Sequence, residues 1–103
     1  MALIIKPTQD KKIYVQGTEI ELPQVYNRIE FGCRPNGITM EMAFYTYANS
    51  TAYASGSMLP SDIPTQNLVT DIDPETQVQG LEAAHDLSKT YYTNLGYEVE
   101  IKL

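Results

Sequence analysis

Apolar and polar residues alternate along several stretches of the chain and recur at three- and four-residue steps in one more, a pattern of strands and one helix. The clearest alternation closes the chain, Tyr97-Glu98-Val99-Glu100-Ile101-Lys102-Leu103, and predicts a final strand over 97–103. Before it, Val78, Leu81, His85, Ser88, Tyr92 and Leu95 share one helical face, with Ala84 and Tyr91 widening the stripe. The boundaries of that helix are marked, at about 74–95. Asp73 is a good N-cap, Pro74 suits the first helical position, and Glu75 complements the helix dipole. Gly96 supplies the left-handed residue that ends a helix, after which Tyr97 can fold back on Tyr92.

The first two-thirds of the chain reads as hairpins. Residues 2–5 are an apolar run ended by Pro7. Ile13-Tyr14-Val15 and Glu19-Ile20-Glu21-Leu22 flank Gln16-Gly17, a two-residue turn that sets Ile13 opposite Ile20 and Lys12 opposite Glu21. A longer hairpin has arms at 25–33 and 38–47. Pro35 and Asn36 suit the centre of its turn, and Gly37 suits the left-handed position that follows. The apolar face is Val25, Ile29, Phe31 and Cys33 on one arm, and Ile38, Met40, Met42 and Phe44 on the other.

Two rules conflict over the register of that hairpin. A three-residue loop sets Phe31 opposite Glu41, whereas matching the apolar faces sets it opposite Met40. Burial should win, because a one-residue slip turns every side chain to the wrong face. A four-residue loop or a bulge at Gly32 absorbs the mismatch. The bulge is favoured, since Arg34 precedes a proline and resists the helical region. Further along, Leu68, Thr70 and Ile72 oppose Val69 and Asp71 in a strand that leads into the helix.

The expected fold is therefore a single α+β domain spanning 1–103. It is a small, mostly antiparallel sheet of hairpins with one C-terminal amphipathic helix packed on it. A coiled coil is disfavoured because His85 and Ser88 would occupy its seam. An irregular loop at about 48–66 is rich in Ala, Ser, Thr and Pro. Ser50 could cap a short turn there over 51–55, ended by Gly56.

Charge narrows the function. The formal net charge of −6 disfavours nucleic-acid backbones and acidic lipid surfaces, both of which need a basic face. No apolar run approaches the ~20 residues of a membrane span, and the start of the chain is too short for a signal peptide. A soluble protein made in a reducing cytoplasm is expected. Cys33 is the lone cysteine, read as a buried and inert strand thiol.

Reactive chemistry is sparse. His85 is the single histidine and lies on the helix stripe as a packing residue. One His and one Cys do not make a usual zinc site. Asp71, Asp73 and Glu75 lack the glycine turn and terminal glutamate of a calcium loop. The glycines are dispersed and form no phosphate cradle. Glu98 and Glu100 read as the wet face of a strand. No enzyme, metal or cofactor is expected.

What remains is a surface. The chain has 8 Tyr, 2 Phe and no Trp, and tyrosine is favoured at protein contacts. The outer face of the long hairpin carries Tyr26, Arg28, Glu30, Thr39, Glu41, Tyr45 and Tyr47. It fits either a partner surface or an ordinary solvated sheet.

The stretch V-Y-N-R-I-E-F-G-C-R-P-N-G-I-T-M-E-M-A-F-Y-T-Y-A-N at 25–49, with the closing D-P-E, L-E-A-A and L-G-Y-E-V-E-I segments, resembles short virion proteins of tailed bacteriophages, particularly crAss-like phages of Bacteroidales. The resemblance implies a structural part of the particle: capsid decoration or stabilisation, head–tail connection, or tail and baseplate assembly. Its partners would be other virion proteins or further copies of itself, and its location the virion, after synthesis in the host bacterial cytoplasm. The candidate interaction residues are Tyr26, Arg28, Tyr45, Tyr47 and Tyr53, with Leu3, Ile4 and Ile5 as a free edge strand that could join a neighbour's sheet. Removing residues 1–7 should then weaken assembly and leave the monomer folded. The alternative is a soluble bacterial regulatory or small-ligand-binding module, with a pocket lined by His85, Tyr91 or Tyr92.

Overall fold

The computed structural model describes residues 1–72 and 80–103. Seven elements follow one another: β1 (Ala2–Lys6), β2 (Val25–Cys33), β3 (Thr39–Tyr47), α1 (Ser50–Ala54), β4 (Leu68–Asp71), α2 (Leu81–Asn94) and β5 (Glu98–Lys102). The strands form one five-stranded sheet in the order β4-β3-β2-β1-β5, every neighbouring pair antiparallel. With α2 packed on one face, this is the expected α+β arrangement.

The β2–β3 turn follows its local chemistry. Gly37 N–H donates to Arg34 O at 3.0 Å, and Gly37 has φ 77°, which an L side chain resists. The Asn36 carboxamide oxygen accepts from the backbone of both Ile38 and Thr39 at 3.0 Å, and its Nδ2 donates to Thr39 Oγ1 at 2.8 Å. The register differs from the expected one. Phe31 faces Met42, not Met40, and the pairing runs unbroken past Gly32, so there is no bulge. Arg34 N–H bonds Thr39 O at 2.9 Å, which leaves a four-residue loop of Pro35 to Ile38. The proline's restriction on Arg34 is met because Arg34 sits outside that loop. A shift of two residues preserves the side-chain alternation, so the apolar faces still meet.

Two residues of the expected apolar set lie at this exposed turn. Ile38 belongs to the loop and is 40 % exposed. Cys33 takes the last position of β2 and is also exposed, so it is not a buried thiol. The chain turns at Gln16-Gly17, with Thr18 N–H bonding Val15 O at 3.0 Å and Gly17 at φ 76°, but the hairpin closes where Val15 N–H bonds Ile20 O, a four-residue loop and not the expected two-residue one. Its register too is displaced by two. Tyr14 bridges Glu21, and Leu22 N–H donates to Ile13 O. Ile13 is therefore buried while Ile20, its expected partner, is exposed.

The largest correction concerns β1. It lies inside the sheet, with Leu3 opposite Asn27 on β2 and Ile101 on β5. Leu3 and Ile5 are fully buried and Ile4 nearly so. They are core, not a free edge. Alternation cannot show this, because a central strand and an edge strand read alike when both faces are apolar.

Helix α2 begins at Leu81 after Gly80. The expected start, Asp73-Pro74-Glu75, lies outside the described residues, as does Val78. Its stop is as expected. Tyr97 N–H reaches Tyr92 O at 3.3 Å and Gly96 N–H reaches Thr93 O at 3.0 Å, the paired bonds of a Schellman closure around Gly96 at φ 106°. The Tyr92 and Tyr97 rings meet at 6.4 Å. The buried face follows the expected stripe through Ala84, His85, Ser88 and Tyr92 and departs from it only at the ends of the helix. Ala83, Ala84, His85, Ser88 and Tyr92 point inward, while Leu81 and Leu95 are exposed. Small residues bring the helix close to the sheet. Ser88 Oγ–H bonds Ala84 O at 2.7 Å, within 3.3 Å of Met42 Sδ.

The core gathers Leu3, Ile5, Ile13, Val25, Met40, Met42 and Phe44 under Ala84 and Tyr92. The 48–66 segment is tied down rather than loose. Asn49, not Ser50, caps α1 by accepting from Ala52 N–H at 2.8 Å. Leu59 N–H bonds Thr46 O, Asp62 pairs with the backbone of Tyr14, and Ile63 enters the core.

Truncating Ile5 to Ala should cost about 2–5 kcal/mol, read as a lower urea midpoint at unchanged slope. Removal of residues 1–7 should abolish cooperative unfolding. A truncated chain with a wild-type melting transition would show that β1 is dispensable.

Candidate interaction surface

The face of the sheet opposite α2 is built by alternation on β2 and β3. Tyr26 pairs with Tyr47, Arg28 with Tyr45 and Glu30 with Ala43. Helix α1 then reverses the chain. Its Schellman-type exit at Gly56, where Ser57 N–H bonds Ala52 O and Gly56 N–H bonds Tyr53 O, accompanies a return of Tyr53 over the sheet. The Tyr53 ring centre stands 5.2 Å from Tyr47, edge to face, and 6.0 Å from Tyr26. The Arg28 guanidinium lies 4.3 Å over Tyr53, a cation–π geometry. Beneath the rings sit Ala2 and Ile4, buried with Tyr26 as a second small core.

Four of the sequence candidates thus converge: Tyr26, Arg28, Tyr47 and Tyr53. Their roles differ. Tyr26 is a buried floor, whereas Tyr53 is exposed. Tyr45 stands beside Arg28 and is exposed. A hydrogen bond to Glu30, reinforced by that carboxylate's charge, holds its phenol above the ordinary tyrosine range. Leu3, Ile4 and Ile5 do not belong to the exposed surface.

Sequence reading missed a depression of about 300 Å³ further along this face, where Gly32 and Ala43 leave space among Glu30, Arg34, Glu41 and Asn67. Arg34 and Glu41, both lining it, form an ion pair at 3.9 Å. The available signal was a glycine and an alanine at outward positions of neighbouring strands. It is readable only with the register in hand.

The other face holds the only histidine. His85 Nδ1–H donates to Leu81 O at 2.7 Å, and Nε2 is buried with no hydrogen-bond partner among the described residues. His85 lines a depression of about 330 Å³ with Met1, Glu82, Asp86, Ile101 and Leu103. Tyr91 and Tyr92 do not line it. They pack on Phe44 at 6.4 and 5.3 Å. Tyr92 O–H donates to Pro64 O and accepts from Asn27 Nδ2, and burial pushes its pKa well above the ordinary value. Among the described residues, no group of three or more His, Cys, Asp or Glu could hold a metal ion. No helix among them is long and apolar enough to cross a membrane.

Comparison of the chain with protein-family models, curated proteins and solved structures found no match in any of the three.

The Tyr92 phenol is raised when folded and ordinary when unfolded, so its contribution is complete below the unfolded value of 10.0 and is lost as pH climbs above it. Tyr97 shifts in the same direction, chiefly through burial. Stability should therefore fall above about pH 10. Tyr92→Phe should show a shallower fall there and cost about 1–3 kcal/mol at neutral pH. Urea unfolding across pH checks both, and an unchanged alkaline slope in the variant would remove Tyr92 as the cause.

Proposed function

We propose that the chain is a non-enzymatic structural subunit of a phage virion, acting through protein–protein contact on the tyrosine-bearing face of its sheet. The observation that carries the contact surface is Tyr53, returned by α1 onto Tyr26 and Tyr47 with Arg28 against its ring. Tyrosine and arginine dominate binding hot spots because they bring large, preorganised contact area with a polar end. Here the rings are fixed before any partner arrives, which lowers the ordering cost of association. The particle itself is supported by the resemblance of residues 25–49 to short virion proteins. The partner is accordingly another virion protein, and the site of action is the assembled particle.

A second reading, a soluble bacterial regulatory or small-ligand-binding module, is favoured by the depression beside His85, whose buried Nε2 could accept from a ligand's O–H or N–H.

Co-expression with the neighbouring genes, followed by sedimentation of particles, separates the two. The chain should sediment with particles in stoichiometric amount. A variant carrying Arg28→Ser, Tyr45→Ser and Tyr53→Ser should lose at least about tenfold of that incorporation while keeping its far-UV circular dichroism. A chain that stays in the supernatant would overturn the virion reading. Full incorporation of the variant would overturn the surface.

A further inference from the structure

Strand β5 is an edge. It pairs with β1 on one side, and among the described residues no backbone hydrogen bond reaches its other side. Natural edge strands are commonly blunted by proline, by bulges or by a covering segment. Among the described residues Glu98–Lys102 has no proline, bulge or covering segment and pairs in unbroken register from end to end. Its guard is charge, Glu98, Glu100 and Lys102, and because those charges are of both signs a second copy can match them. Its side chains alternate strictly. Glu98, Glu100 and Lys102 are exposed, while Val99 is buried and Ile101 half-buried towards α2.

We propose that this edge pairs antiparallel with β5 of a second copy, centred on Glu100. The register is read from charge. It places Glu98 opposite Lys102 of the other copy, twice by symmetry, and sets Val99 against Ile101 and Tyr97 against Leu103 on the apolar face. Every pair then recurs in reverse across the axis, charge on opposite charge at the flanks and apolar on apolar, as a self-complementary two-fold contact requires. Sliding by two towards the start of the strand sets Glu98 against Glu100. Sliding by two the other way also sets Glu100 against Lys102, but it pairs only Glu100 to Lys102 of each strand with the other copy's strand, where the centred register pairs the whole of Glu98–Lys102.

The opposing term is the central contact, Glu100 against Glu100. Each copy brings its own counter-charge, because Lys6 Nζ stands 3.8 Å from Glu100 Oε2. Lys6 also lies opposite Glu98 within the sheet, so a row of alternating sign, Lys6, Glu98, Lys102, crosses each half of the junction. The same register brings Leu103, 93 % exposed in the single chain, beside Tyr97 of the second copy. The product is a continuous ten-stranded sheet with both α2 helices on one face. The contact lies on a different part of the molecule from the Tyr53 cluster, so it leaves that surface open. Its area falls in the small class of interfaces, below about 1,200 Å², and association is therefore concentration-dependent.

Charge exchange tests the register. Equilibrium sedimentation of the full chain should show growth from 11.6 kDa to twice that mass as concentration rises. Glu98→Lys and Lys102→Glu, each alone, should weaken dimerisation by at least about tenfold, because each sets like charges face to face twice. Mixing the two single variants should restore a one-to-one dimer, and the double variant should dimerise like wild type. These restorations separate lost pairing from lost folding. A wild-type chain that stays monomeric, a Glu98→Lys variant that dimerises as tightly as wild type, or a mixture that stays monomeric would each overturn the proposal.

Discussion

The double pairing of β1, between β2 on one side and β5 on the other, is the constraint on which the rest of the molecule depends. It fixes Leu3 and Ile5 in the main core and turns Ala2 and Ile4 to the opposite side, beneath Tyr26. One five-residue strand thereby serves two apolar clusters. Each fully buried aliphatic side chain contributes roughly 1.5–3 kcal/mol relative to exposure. That is a sizeable part of a net stability that rarely exceeds about 15 kcal/mol. The small-residue face of α2 works from the other direction. Ala83, Ala84 and Ser88 let the helix approach Met42 closely, and Tyr92 fills the space beside them.

The two faces of the sheet are finished differently. Under α2 the core closes with aliphatic and thioether side chains, and its polar members are mostly tied into bonds, as Tyr92 is to Pro64 and Asn27. On the far face the chain provides a five-residue helix and a cluster of tyrosines instead of a full layer. That half-finished layer is stable because tyrosine buries its ring and leaves its hydroxyl wet. The same property makes the cluster suited to contact with another protein.

Much of the local structure was legible in the sequence because it rests on residues with few alternatives. Gly17, Gly37 and Gly96 each occupy a positive-φ position where one was expected, and Asn36 organises its turn through its own side chain. Face assignment was legible too, since β2, β3 and β4 meet on the sides that alternation indicates. Register was not. Both hairpins are displaced by two residues, a shift that alternation cannot detect because it returns each side chain to the same face. Strand order was likewise hidden, as the β1–β5 pairing joins segments from opposite ends of the chain. The candidate surface was half legible. Tyr26, Arg28, Tyr45 and Tyr47 follow from one hairpin, but Tyr53 joins them only through the reversal at Gly56, and the depression at Gly32 needs the true register to be seen.

The placement of β1 also governs how the protein is made. Leu3 meets Ile101 across almost a hundred residues, so β1 emerges well before the strand that satisfies its second edge. Until then the nascent chain carries an apolar strand with an open edge, the condition that invites pairing with the wrong neighbour. The β2–β3 hairpin, whose partners are adjacent in sequence, can form on emergence and cover one side of β1 early. The remaining side closes only when β5 leaves the ribosome. Completion of this fold therefore waits on a pairing of very high sequence separation, the kind whose loop closure carries the greatest entropic cost.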